Sequence, residues 1–112
     1  MAMLSKAEIL RVLTEKGVAA EKDLYTYTNA KQLPGGKFGL CIVSVKDKTL
    51  YITDVDTSWN IGKVLYSIPI DEMQNKKHSP RLTLSPYFKF TWQGKEFVLG
   101  AITAKMKQAV GV

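Results

Sequence analysis

Lys37-Phe38-Gly39-Leu40-Cys41-Ile42-Val43-Ser44-Val45 runs into Lys46-Asp47-Lys48 and out again through Thr49-Leu50-Tyr51-Ile52-Thr53-Asp54-Val55. The first segment is apolar on both of its period-two faces, Phe38, Leu40 and Ile42 against Cys41, Val43 and Val45, as a strand covered on both sides must be. In the second, Leu50 and Ile52 fall on one face, with Tyr51 and Thr53 on the other. Both are rich in β-branched and aromatic residues, and three polar residues separate them. Together they predict a β-hairpin whose first strand is central in its sheet.

The same periodicity extends outward from this hairpin. On its N-terminal side Tyr25 and Tyr27 alternate with Thr26 and Thr28, and Pro34-Gly35-Gly36 then breaks the chain. On its C-terminal side Val64, Tyr66, Ile68 and Ile70 alternate with Leu65, Ser67, Pro69 and Asp71. Pro69 cannot donate to a ladder, which predicts an edge or bulged strand there. From Arg81 to Trp92 the alternation predicts one dry side, Leu82, Leu84, Phe88, Phe90 and Trp92, with Tyr87 and Lys89 facing away, and a bend at Pro86. Gln93-Gly94-Lys95 turns the chain into a last strand, Glu96 to Leu99.

Both ends read as helices. Ser5-Lys6-Ala7-Glu8 is a capping-box pattern with Leu4 and Ile9 at the staple positions, and Ile9, Leu10, Val12 and Leu13 form a narrow apolar stripe that Gly17 can terminate. Ile102, Met106, Ala109 and Val110 recur at helical spacing before Gly111. The expected organisation is a single domain over 1–112, with a helix over 5–16, antiparallel strands over 21–101 and a short helix over 102–110. Its class is α+β, mainly β.

Size and composition suit an ordered domain. The chain has 112 residues, 46% of them hydrophobic and 23% charged, so a core can form without a disulfide or structural metal. Cys41 is the single cysteine and lies inside an apolar run, where a thiol behaves as a small hydrophobe. Met1 to Glu8 lacks a charged segment followed by an apolar one, and no stretch approaches the ~20 apolar residues that span a bilayer. The expected setting is the cytoplasm, with no transmembrane segment. The formal charge is +6, and Lys76, Lys77 and Arg81 form the densest basic group around His78. In a segment that also holds Asn75, Ser79 and Pro80, that group reads as a surface loop. It is the candidate anion-binding site, for weak, salt-sensitive contact with nucleic acid or anionic membrane.

The motifs that would carry chemistry are incomplete. Gly35-Gly36-Lys37-Phe38 has Lys31 where a phosphate loop begins with glycine, and Phe38 where it needs Ser or Thr. Asp54-Val55-Asp56-Thr57-Ser58 opens like a calcium loop, yet Trp59 takes the glycine position and Leu65 that of the bidentate Glu. Asp56-Thr57-Ser58, with Val98-Leu99-Gly100 further on, faintly resembles half of a dimeric aspartic protease site, but the glycine after Thr is replaced by Ser58. His78 is the only histidine, which rules out a histidine cluster for zinc. No catalytic residue, metal site or cofactor is expected.

From Glu21 to about Val110 the chain resembles the bacterial pleckstrin-homology-like domains. The resemblance is carried by Glu21-Lys22 entering a strand, by the 37–53 hairpin, by Ile68-Pro69-Ile70-Asp71-Glu72-Met73, and by a final strand leading into a C-terminal helix. It implies a half-open barrel of about six to seven antiparallel strands capped by the last helix. The family's Thr-x-x-Arg-Leu appears only loosely, as Ser44 to Leu50 without the Arg. Gly39 stands where lipid-binding members carry an Arg, so headgroup binding is not implied. The expected function is a non-enzymatic interaction module that binds a protein partner or assembles with itself.

Overall fold

The computed structural model describes residues 5–79 and 86–112. Helix α1 (Lys6–Glu15) begins as its sequence dictates. Ser5 Oγ accepts from the Glu8 N–H, the Glu8 carboxylate reaches back to the Ser5 N–H, and Gly17 adopts φ 75° after the last turn. Leu4, the other half of the expected staple, lies outside the described residues.

The strands are β1 (Tyr25–Gln32), β2 (Gly39–Lys46), β3 (Thr49–Val55), β4 (Ile61–Pro69), β5 (Gln74–His78), β6 (Phe88–Trp92) and β7 (Lys95–Leu99), followed by helix α2 (Ala104–Val110). Among the described residues they form one seven-stranded antiparallel sheet in the order β4-β3-β2-β1-β7-β6-β5, which is not closed into a barrel. The class is α+β, mainly β, with a helix before the strands and a short one after them.

Two hairpins turn on adjacent residues with positive φ, Asp47 (51°) with Lys48 (61°), and Gln93 (52°) with Gly94 (74°). This is the tight turn whose twist matches that of the strands it joins. The first gives the register Val43↔Ile52 and Val45↔Leu50, as the sequence pattern requires.

The two faces of the sheet bury separate clusters. The inner face packs Val43, Leu50, Ile52, Phe88, Phe90 and Phe97 with Met106 and Val110 of α2. Phe90 and Phe97 stack with ring centroids 4.9 Å apart. The outer face of the first strands packs Ile42 and Val55 against Ile9 and Leu13 of α1, with Tyr25, Tyr27 and Val64 at the margin. By strand alternation Ser44 and Thr53 lie on this outer face, both fully buried and both with hydroxyls that have no partner. An unpaired buried hydroxyl costs about 1–3 kcal/mol, so α1 is held on by less than its apolar contacts alone would give.

Four expectations are corrected. Phe38, placed by alternation on a buried face, is 79% exposed. Gly39 takes φ 97°, which breaks the extended run, so the ladder begins only after Phe38. Lys76-Lys77-His78 is not a loop but part of β5, the last strand of the sheet among the described residues. A polar, lysine-bearing sequence is what the last strand of a sheet tolerates, and it hides the strand from a propensity reading. Val64 and Tyr66 do not share a face. The ladder pairs Ile52 with Tyr66 and Thr53 with Val64, and the extra residue Leu65 sends Tyr66 to the inner cluster and Val64 to the outer one. Pro86 precedes β6 rather than bending it. Leu82 and Leu84 lie outside the described residues.

Phe88 and Phe90 are fully buried while Lys89 points outward, 3.9 Å from the Glu96 carboxylate. Phe88→Ala should therefore cost about 3–5 kcal/mol, and Lys89→Ala should stay within about half a kcal/mol of the parent. Denaturant melts of both variants check this, and a damaging Lys89→Ala with a neutral Phe88→Ala would mean that the face is inverted.

Candidate functional site

One end of the sheet gathers the loop joining β1 to β2 and the loop joining β3 to β4. In the first, Gly36 N–H closes a turn on the Leu33 carbonyl, and Gly35 N–H donates to Tyr66 Oη at 2.9 Å. A side chain at position 35 would run into that hydroxyl. Lys37 then ties the loop to β3, its ammonium 2.6 Å from Asp54 Oδ1 and donating to the Val55 carbonyl at 3.3 Å. Phe38 thus projects from a loop fastened on both sides, the most exposed large apolar side chain among the described residues.

The second loop is organised by Asp56. Its Oδ1 accepts from the N–H groups of Ser58 and Asn60, each at 2.9 Å, and Oδ2 accepts from the Asn60 side-chain amide at 3.1 Å. Trp59 sits in the left-handed region at φ 67°, which a bulky residue adopts only at a cost, and its ring meets Tyr27 edge-on at 5.1 Å. The carboxyl of Asp56 is held below the usual aspartate range by the Asn60 backbone bond first and the Asn60 side chain next. All these bonds lie within its own loop. The structure places Asp56 as the centre of a turn, with its oxygens turned to local donors. Lys37, Phe38, Asp54 and Asp56 together line a shallow cavity of about 410 Å³ at this end.

A second concavity, about 360 Å³, lies where α1 crosses the beginning of β1. Ile9, Tyr25, Thr26 and Tyr27 line it, with Lys6, Lys22 and Asp23 as its charges. Tyr25 Oη donates to the Lys6 carbonyl, whereas Tyr27 Oη is buried without a partner. Burial pushes both phenols up from their ordinary value.

The expected basic group is divided. Lys76 donates to the Val110 carbonyl at 2.8 Å, stabilising the C-terminal end of α2, where a cation is favoured. Lys77 is exposed, opposite Lys89 in the neighbouring strand. Arg81 lies outside the described residues. His78 has Nδ1 3.0 Å from the Ser79 carbonyl and Nε2 buried without a partner. Cys41 is fully buried in β2, and desolvation pushes its thiol up to about 12, far from a nucleophilic thiolate. Among the described residues no three His, Cys, Asp or Glu side chains converge on a point where a metal ion could sit. No helix among them is long and apolar enough to cross a membrane.

Sequence reasoning missed Phe38 and the cleft under α1. Gly39 was the available signal for the first, since a glycine within an apolar run can mark the point where the strand breaks. The cleft has no sequence signal, because it is made by the helix and strand together. No family model, curated protein or solved structure matches the chain.

The lowered pKa of Asp56 fixes a pH dependence. A carboxylate whose folded value lies below its unfolded value contributes stability in full above the unfolded value, and loses it as pH falls through the folded one. Asp56→Ala should therefore destabilise the protein at neutral pH, and the gap from the parent should narrow in acid. Denaturant midpoints measured across this range test it, and a gap of constant size would show that the ionised carboxylate is not what holds the loop.

Proposed function

We propose that the chain is a non-enzymatic interaction module of pleckstrin-homology-like build, working in the cytoplasm, that binds protein or assembles with itself through the end carrying Phe38. The observation behind this reading is the 79% exposure of an aromatic ring on a loop fixed by Tyr66, Asp54 and Val55. A ring kept in water has no stabilising role in the isolated fold, and a rigid mounting keeps the ordering cost of docking it small. Aromatic anchors of this kind dominate the energetics of protein interfaces. An α2 that packs into the inner face of an open antiparallel sheet is consistent with the family resemblance. The unpaired, buried thiol of Cys41 fits a reducing compartment.

The lysines support the same reading over anion binding. Besides Lys76, Lys31 donates to the Pro86 carbonyl and Lys105 pairs with Glu21, so these lysines are engaged in local contacts.

Phe38→Ser should leave stability within about 0.5 kcal/mol of the parent, since nothing in the core is lost. Phe38 replaced by photoreactive p-benzoylphenylalanine should give, on irradiation in the cell that makes the protein, one adduct of discrete mass. The same replacement at Lys89 should give none. No adduct at 38, or the same smear from both positions, would overturn the reading.

A further inference from the structure

Two separate features of the surface fit each other. β1 starts at the cleft, where Tyr25 and Tyr27 lie against Ile9, and ends at the loop that carries Phe38. Gly39 pairs with Ala30, so four to six residues of the strand, about 14–20 Å, lie between Tyr25–Tyr27 and the position of Phe38. The cleft holds about 360 Å³, with an apolar and aromatic wall suited to one benzyl side chain. Its charges are Lys6, Lys22 and Asp23, two cations and one carboxylate. Those lining the cavity beside Phe38 are Asp54, Asp56 and Lys37, two carboxylates and one cation. With Lys37 and Asp54 paired to each other, the carboxylate of Asp56 is left beside Phe38 against one net cation at the cleft, so the two sites are complementary in sign.

We propose that Phe38 of one copy seats in the cleft between α1 and β1 of a second copy, so that the chain assembles head to tail. The inference rests on Phe38 being a docking side chain and names its partner. The contact joins two different surfaces, so each added copy leaves one free head and one free cleft, and growth ends only if the rotation closes a ring. An anionic membrane is disfavoured as the occupant, because Asp56, the carboxylate not paired with Lys37, lines the cavity beside the ring that would have to enter it. The overall charge of +6 opposes association at long range, an effect confined to about 8 Å at physiological salt.

The test uses two variants of the full chain, each disabling one side. Phe38→Ser removes the head and leaves the cleft. Lys6→Glu with Lys22→Glu reverses the rim of the cleft and leaves the head, and both lysines are exposed, with Glu at the start of α1 favoured by the helix dipole. Unchanged circular dichroism and melting establish that each variant folds. In sedimentation velocity at physiological salt the parent should associate as concentration rises, and each variant alone should do so about tenfold more weakly or worse. An equal mixture of the two should recover association but stop at a dimer, because only one good head and one good cleft remain to meet. A parent that stays monomeric to its solubility limit overturns the head-to-tail contact. So does a mixture that fails to recover, which would indicate a symmetric interface. In either case an adduct from position 38 to a different protein would leave the interaction reading standing without this partner.

Discussion

β1 is the strand on which the rest of the sheet depends, because it alone has neighbours in both halves: β2 along one edge and β7 along the other. Its ladder to β2 runs from Tyr25 to Ala30, but its ladder to β7 involves only Ala30 and Gln32, with an irregularity between them. The seam is therefore short. It is extended by Gly100 N–H, which donates to the Asn29 carbonyl at 2.8 Å, and this approach leaves no room for a side chain at position 100, where a Cβ would run into Thr28 Oγ1. Glycine is required here for close contact between backbones. On the inner side the seam is backed by Ala30, Leu99 and Phe97, and by α2, whose first turn is capped by Thr103. The Thr103 hydroxyl also donates to the Asp23 carbonyl, which anchors the start of α2 beside the start of β1.

The position of the proposed docking surfaces follows from that seam. Because β1 runs from the cleft to the loop that carries Phe38, one extended strand holds the two at a fixed separation. α1 closes the cleft from the outer side, and it rests on a face that includes the unpaired hydroxyls of Ser44 and Thr53 as well as Ile42 and Val55. The opposite end is stiffened by polar contacts instead: Tyr66 to Gly35, Lys37 to Asp54, and Asp56 to its own loop. Rigid presentation of Phe38 and a helix-covered cavity are the two halves of the directional contact proposed above.

Much of this architecture is legible in local sequence. The capping box at Ser5 and Glu8, the hairpin around Asp47 and Lys48, and the dry side formed by Phe88 and Phe90 each depend on residues within a few positions of one another, where side-chain period and turn chemistry act directly. What escaped was set by distant partners. β5 has too many lysines and amides to look like a strand, and forms one because β6 offers it an edge. Leu65 is bulged because β3 and β4 must each serve two cores. Phe38 was assigned to a buried face because alternation carried through Gly39, where the backbone turns aside. The junction of β7 with β1 joins residues about seventy positions apart, and only Gly100 hints at it.

If β1 unites the two halves, loosening its seam to β7 must weaken both. Native-state amide exchange on the parent and on Gly100→Ala measures this directly, since the added methyl must displace Thr28 or open the seam, a change of about 1–3 kcal/mol. The amides of Val43 and Ile52, in β2 and β3, should lose as much protection as those of Phe90 and Phe97. Loss confined to β6 and β7, with β2 and β3 unchanged, would contradict it, and would mean that the first strands under α1 stand without the seam.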